Sequence, residues 1–441
     1  MSNADLVIKL FLQLAVILAS CYVVAIVGRW LGQTRVVSEM VAGVVLGPSL
    51  LGLLAPNLQE WLFPVRATIE AGGAAVTVPH PSMAILFAIS QVGLVLYMFL
   101  VGLEFNTQLI VGRMKSAGLV SAAGIVIPFG LGAVYSLQLS GQGGRFFTPD
   151  VSGPWAALFL GACMSITAFP MLARIIFEKG IAGTRLGTLA LAAGATDDAV
   201  AWCLLAVVLA FLKGSSMVAV MAIGGGIVFT LGMIFLGRPL LASFEDQVRR
   251  RDGLGGGTMV STLLVLMLSA WLTDAIGIYA VFGAFILGAC MPRGRYAAEV
   301  RAHTELITTG LLLPVFFVYS GLNTRIGLIS SWELWGITAI VLLLAIAGKG
   351  LACMAAARVA GESWREAATL GTLMNARGLM ELIILNIGLQ AGIITPTLFT
   401  IMVMMAVITT LMASPLFHVL YGRYLSQTAS GRAGEVASSI G

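Results

Sequence analysis

The chain has 441 residues, 59% of them hydrophobic and only 10% charged, with a formal net charge of +5 and a mean hydropathy of +0.99. Soluble domains carry about 25% charged residues, so this composition excludes a soluble globular protein and indicates a polytopic one that lives in a lipid bilayer. The basic excess does not point to nucleic acid, because Lys and Arg fall in short loops between apolar runs and form no continuous tract.

A membrane-spanning helix needs about 20 mainly apolar residues. On that criterion the sequence predicts about thirteen spans, at roughly 6–28, 35–54, 82–103, 116–139, 154–178, 185–212, 216–237, 257–274, 276–292, 305–322, 332–358, 364–389 and 396–421. The stretch from Leu6 to Val27 lacks the basic start and cleavage site of a signal peptide and reads as the first span. Segment 55–81, with Pro56, Pro64, Pro79, Pro81 and a Gly72-Gly73 pair, reads as a long structured loop. Thr273 and Asp274 mark the turn that divides 257–292 into two helices. Residues 425–441, rich in Ser, Gly and Ala, read as a short disordered cytoplasmic tail with no soluble domain after it. The five cysteines lie inside apolar segments without metal-ligand spacing, and His80, His303 and His418 suggest no metal site either.

Basic residues decide orientation. Of the 25 Lys and Arg, 18 fall on the side that holds the odd-numbered connections and the C-terminus, among them Arg113, Lys179, Arg249, Arg250, Arg251, Arg295 and Arg358. The opposite side keeps Lys9, Arg66, Arg145, Lys213 and Arg325. This bias predicts an N-terminus outside and a C-terminus in the cytoplasm of a cell (inner) membrane protein. Six spans precede the helix at 216–237 and six follow it, which is the arithmetic of an inverted repeat. The transmembrane domain, 1–424, would then hold a first repeat at about 6–212, a linking helix at 216–237 and a second repeat at about 257–424.

The fifth helix of each half carries helix breakers and polar residues at mid-membrane: Ser165, Ile166, Thr167 and Pro170 in one, Asn375, Arg377 and Gly378 in the other. That pattern marks discontinuous helices, whose free carbonyls and end charges suit a bare cation. Pro170 removes one backbone donor and frees a carbonyl about a turn earlier, near Ile166. The fold class that follows is an all-α polytopic membrane protein with an inverted repeat and two interrupted helices.

Asp197 and Asp198 sit in the middle of the apolar run Leu186 to Leu212. A carboxylate at bilayer depth costs roughly 2.5–3.5 kcal/mol on insertion scales, and helix packing needs no such pair. An intramembrane ionisable residue is first a candidate for ion or proton handling. The plainer alternative, a carboxylate capping a helix break, needs only one of the two. Adjacent residues point about 100° apart on a helix, so one can bind a cation while the other pairs with a base, and Thr196 can add an oxygen. Lys349, flanked by Gly348 and Gly350, lies too deep to snorkel easily and reads as the ion-pair partner of one aspartate. Arg377 and Glu381 are i, i+4 neighbours that can neutralise each other, the structural reading favoured over a part in transport. Glu39, Arg174 and Glu178 read as structural or entrance charges. An intramembrane aspartyl protease also needs buried aspartates, but on two helices facing one scissile bond, and both lie on one helix here.

At these residues the chain resembles the monovalent cation:proton antiporter-2 family, which includes bacterial sodium/proton antiporters, Kef-type potassium efflux systems and plant cation/proton exchangers. The resemblance runs from about Leu31 to Tyr421 and rests on Glu39 to Pro48, Phe99 to Glu104, Ser165 to Pro170, Ala195 to Asp198, Gly348-Lys349 and Asn375 to Leu382. It implies a sodium/proton antiporter-like fold with the two interrupted helices crossing, a homodimer, Asp198 as the ion-binding carboxylate and Asp197 paired with Lys349. Kef-type members usually carry Gln-Asp where this chain has Asp-Asp, and a C-terminal nucleotide-binding domain besides. The expected activity is exchange of sodium or potassium for protons by alternating access, with no enzymatic reaction and no resident cofactor. Two acidic residues and a lysine, read through the family, further suggest electrogenic exchange. A sodium- or proton-coupled symporter or a Kef-like potassium efflux channel is the alternative.

Overall fold

The computed structural model describes residues 2–64, 66–71, 74–104, 114–181, 184–212, 216–322 and 326–422; the predicted tail at 425–441 and Arg113, Lys213 and Arg325 lie outside that set. Among the described residues the chain is a succession of helices broken by a single hairpin. Nine of these helices are long and apolar enough to cross a membrane, beginning with Asn3–Trp30, and shorter apolar helices accompany them. The segment 55–81, expected to be a loop, holds instead a short helix, Pro56–Leu62, and an antiparallel pair, Arg66–Ala71 against Ala74–Pro79, with Arg66 opposite Pro79.

The predicted spans match observed helices closely, and the departures have local causes. Helix Ser216–Gly232 does not stop at 237; a π-helical turn, Met233–Gly237, passes it into Arg238–Arg250. Helix Arg295–Ile307 likewise precedes the apolar stretch that begins near 305. Both extensions are rich in charge and so fall below a hydropathy criterion, yet they pair with each other: Glu245 accepts from the Tyr296 backbone N–H at 3.1 Å. The 257–292 region is two helices, Gly256–Ala275 and Ala280–Cys290, as the turn at Asp274 predicts.

The chain forms two compact units. One comprises Met1–Ile26, Ser38–Gln108 and Trp202–Gly327. In it, helix Pro81–Glu104 packs along Ala280–Cys290 and Leu313–Leu322. The Gly43 of the Glu39–Pro48 motif has a packing reason: a Cβ there would lie 2.6 Å from the Phe317 carbonyl oxygen, so only glycine lets Arg35–Leu46 close on Leu313–Leu322. Glu104 ends the second motif in an ion pair with Arg301.

The other unit comprises Val27–Val37, Leu109–Ala201 and Leu328–Gly441. Its core gathers Leu172, Ile175, Leu189, Leu370 and Leu373. Both predicted interruptions are here. The first falls at residues 166–168, between Gly153–Ser165 and Phe169–Glu178; the second at residues 375–378, between Trp364–Met374 and Leu379–Gln390. Pro170 does not kink a continuous helix. It stands in the first turn of the second half-helix, where its missing N–H leaves no helix bond unmade. The breaks meet, since the Ala168 N–H donates to the Ala376 carbonyl at 3.2 Å.

Candidate functional site

Asp197, on helix Arg185–Leu212, is 1% exposed, and Lys349 is 0% exposed. Taking two charges out of water costs several kcal/mol per ion, which is recovered only if nearly all their hydrogen-bonding capacity is used. It is used here. The Lys349 Nζ lies 3.0 Å from Asp197 Oδ2, which also accepts from the Thr167 hydroxyl at 2.5 Å. Asp197 Oδ1 accepts from the Ser121 hydroxyl at 2.6 Å. The two remaining ammonium protons go to the carbonyls of Ser165 and of Gly124, the latter at 3.0 Å. Three donors therefore converge on Asp197 and three acceptors on Lys349.

Both carbonyl acceptors of Lys349 are free for a reason written in the sequence. Pro128 lies inside helix Met114–Ser140 and has no N–H, so the Gly124 carbonyl four residues earlier loses its helical donor. Ser165 is the last residue of its half-helix, and its carbonyl has no following turn to serve. Lys349 itself stands in a π-helical segment, Ile346–Leu351, of the helix Trp332–Val359. Single π turns inside α-helices recur at functional sites.

Asp198 has a different environment. It is 5% exposed and accepts the backbone N–H of Phe169, the first residue of the half-helix after the break. A carboxylate at a helix N-terminus complements the positive end of the helix dipole. Its Oδ1 is buried without a hydrogen-bond partner among the described residues. That oxygen is an open acceptor on an anionic group, the chemistry a proton or a dehydrated monovalent cation requires.

The second interruption brings Arg377 to the same break from the other side. Its two terminal nitrogens donate to the carbonyls of Cys163 at 3.1 Å and Met164 at 2.7 Å, in the last turn of Gly153–Ser165. A cation there satisfies orphan carbonyls and the negative helix end together. Arg377 and Glu381 do form the expected i, i+4 ion pair, at 3.6 Å, but the guanidinium makes its hydrogen bonds to the helix end. The Arg377 peptide is steadied by Thr410, whose hydroxyl accepts its N–H at 2.9 Å and lies 2.7 Å from its carbonyl.

The remaining predicted residues divide. Ser165 and Ile166 flank the first break; the Ser165 hydroxyl is spent on the Ala162 carbonyl at 2.9 Å, so its own carbonyl makes the contact with Lys349. Asn375 caps Trp364–Met374 and its Oδ1 has no partner among the described residues. Thr196 stays apart: its side chain is exposed and donates to the Ala192 carbonyl at 2.9 Å. Glu39 is buried, and the side chains of Arg174 and Glu178 lie outside the described set. Sequence reasoning missed Ser121, Gly124 and Thr410. Pro128 was a usable signal for Gly124, whereas a lone Ser or Thr in an apolar helix carries none.

A family model described as sodium/hydrogen exchanger, transmembrane, matches residues 15–420. The Na(+)/H(+) antiporter NhaS4 of Synechocystis is 41% identical, the alignment covering 92% of this chain and 98% of that protein. Cation/H(+) antiporter 18 of Arabidopsis thaliana is 34% identical over 93% of this chain, which spans 48% of the plant protein. The Na(+)/H(+)-K(+) antiporter GerN of Bacillus cereus is 27% identical, with 94% of this chain and 97% of that protein covered. Among solved structures, the sodium proton antiporter MjNhaP1 of Methanocaldococcus jannaschii superposes with a TM-score of 0.63 over 96% of this chain and 99% of that one. At 15% identity that is a likeness of fold, and it extends the two interrupted helices seen here to a sodium/proton antiporter-like architecture.

Proposed function

This multi-pass membrane chain belongs to the sodium/hydrogen exchanger family, and on that premise we propose that it exchanges a monovalent cation, sodium or potassium, for protons. The observation that carries the reading is the open Oδ1 of Asp198, a buried carboxylate oxygen beside the first helix break, next to an Asp197 whose acceptors are taken. Asp198 holds a proton or a cation, never both, and either occupant neutralises the buried charge well enough to let the site change the side it faces. Asp197 and Lys349 form the fixed ion pair beside it, while Ser165, Thr167, Asn375 and Arg377 shape the two breaks around it. The chain works as a homodimer in the cell membrane, N-terminus outside and C-terminus in the cytoplasm, the orientation supported by the distribution of its basic residues.

Counterflow in proteoliposomes tests this. Each cation in turn is expected to drive proton movement in the opposite direction, and no flux of the cation should persist when proton movement is blocked. Cation flux without proton countermovement would identify a channel of the Kef-like kind, and movement of both ions in one direction a symporter.

A further inference from the structure

Glu381 is a buried acidic group of this unit that the exchange reading leaves idle, and its surroundings differ from those of both aspartates. It is 0% exposed, and neither carboxyl oxygen has a hydrogen-bond donor among the described residues. Its nearest cation, Arg377, is 3.6 Å away and donates through both terminal nitrogens to Cys163 and Met164 instead. A buried carboxylate facing a buried guanidinium is stable when the two close into short, charge-assisted hydrogen bonds. An arginine that turns its donors elsewhere is the arrangement expected beside a neutral carboxyl group, whose burial without partners costs far less.

The neighbours reinforce this. Helix Leu379–Gln390 packs against Pro396–Phe417, which carries no titratable side chain, and against Gly153–Ser165, whose only titratable side chain is the buried Cys163. Lys349 acts on Glu381 only at longer range and is already committed to Asp197. Among the described residues Arg377 is thus the sole close charge, and two ligands compete for it: the carbonyl end of the half-helix and the Glu381 carboxylate.

We propose that Glu381 is a second proton-binding site, separate from the aspartate pair, and that its occupancy decides which of these two ligands Arg377 serves. With the proton bound, the guanidinium caps the half-helix that ends at Ser165, the geometry seen here. When the O–H bond breaks and the proton leaves to water, the carboxylate draws the guanidinium across the gap and the Cys163 and Met164 carbonyls lose their cap. Because the next carbonyl, that of Ser165, holds Lys349, the change is felt at the first break. The ligand is the proton alone.

The test uses the full-length protein and two readouts that need no transport. Infrared difference spectra between acid and alkaline buffer should show the carbonyl band of a protonated carboxyl group that survives in Asp198→Asn, shifts in Glu381→Asp and is lost in Glu381→Gln. Melting temperature of the wild type should fall as pH rises, because the proton belongs to the folded arrangement, and Glu381→Gln should lose that part of the pH dependence while melting like the wild type in acid. In exchange assays, which rest on the antiport reading, Glu381→Gln should keep its acid rate and lose the wild-type response to alkaline pH. The absence of the band in Asp198→Asn would overturn the proposal, as would a Glu381→Gln protein destabilised equally at every pH. A wild type with the band but no exchange would overturn the antiport reading and leave the proton site standing.

Discussion

The two interrupted helices are broken alike and served differently. At the first break, the chain ends are met by charges from other helices: Lys349 on the Ser165 carbonyl, Arg377 on Cys163 and Met164, and Asp198 on the Phe169 N–H. The second break is held by nearer means. Its Ala376 carbonyl takes the Ala168 N–H, Thr410 brackets the Arg377 peptide, and Glu381 stands in the first turn of its own half-helix. An opened helix end in a bilayer must be satisfied by protein. Where hydroxyls and backbone do so, as around the Arg377 peptide, the connection is scaffolding; where ionisable side chains do so, the same opening can answer to the ions around it.

The sharpest way to break this contrast is Asp198→Asn, which keeps the shape at the first break and removes the charge that proton and cation share. Exchange should vanish for every monovalent cation in proteoliposomes, and substantial residual exchange would dismiss Asp198 as the binding group. Next in size is Lys349→Ala. It strands a buried Asp197 and should cost about 3–5 kcal/mol of stability in denaturation measurements. Asp197→Asn with Lys349→Ala should be less destabilised than the lysine variant alone, and strictly additive losses would mean that the two side chains do not interact.

Hydroxyl deletions beside Asp197 and at the second break sharpen the comparison. Ser121→Ala removes a hydrogen bond to a charged group, worth about 1.5–3 kcal/mol, and should alter exchange as well as melting. Thr410→Val, at the second break, should lower stability by about 1–2 kcal/mol while leaving apparent cation affinity where it was. Equal effects of both on cation affinity would erase the distinction. The smallest effect is graded with pH. If one proton must leave Asp198 before one cation enters, apparent affinity should weaken by up to about tenfold per unit of acidification, with the maximal rate changing much less. Titrations of the cation at several pH values measure this, and an affinity that does not respond to pH would remove competition as the mechanism.

Much of the fold was legible because the bilayer imposes long apolar runs, and helix Arg185–Leu212 begins and ends where hydropathy places it. The parts that escaped are those where helix continues through charge, Arg238–Arg250 and Arg295–Ile307, and the Arg66–Pro79 hairpin, whose turn residues read only as loop. At the site, buried ionisable residues announced themselves by their cost, so Asp197, Asp198 and Lys349 were visible. Ser121 and Thr410 were not, since a hydroxyl in an apolar helix usually bonds to its own preceding turn, as Thr196 does. The capping role of Arg377 was hidden by Glu381 four residues on, a nearer and more obvious partner.

The π-helical turn at Ile346–Leu351 has a geometric consequence for the helix that carries it. An α-helix advances 3.6 residues per turn, and a wider turn within it rotates everything downstream by the angle of one extra residue, about 100°. The stretch before it, Trp332–Ala345, packs mainly against Pro396–Phe417, whereas the stretch after it, Ala352–Val359, packs against Trp364–Met374 and Met114–Ser140. One continuous helical run thereby presents differently aimed faces to different neighbours. Lys349 sits at the change of phase, so a single-residue deletion there would re-aim one whole half of the helix relative to the other.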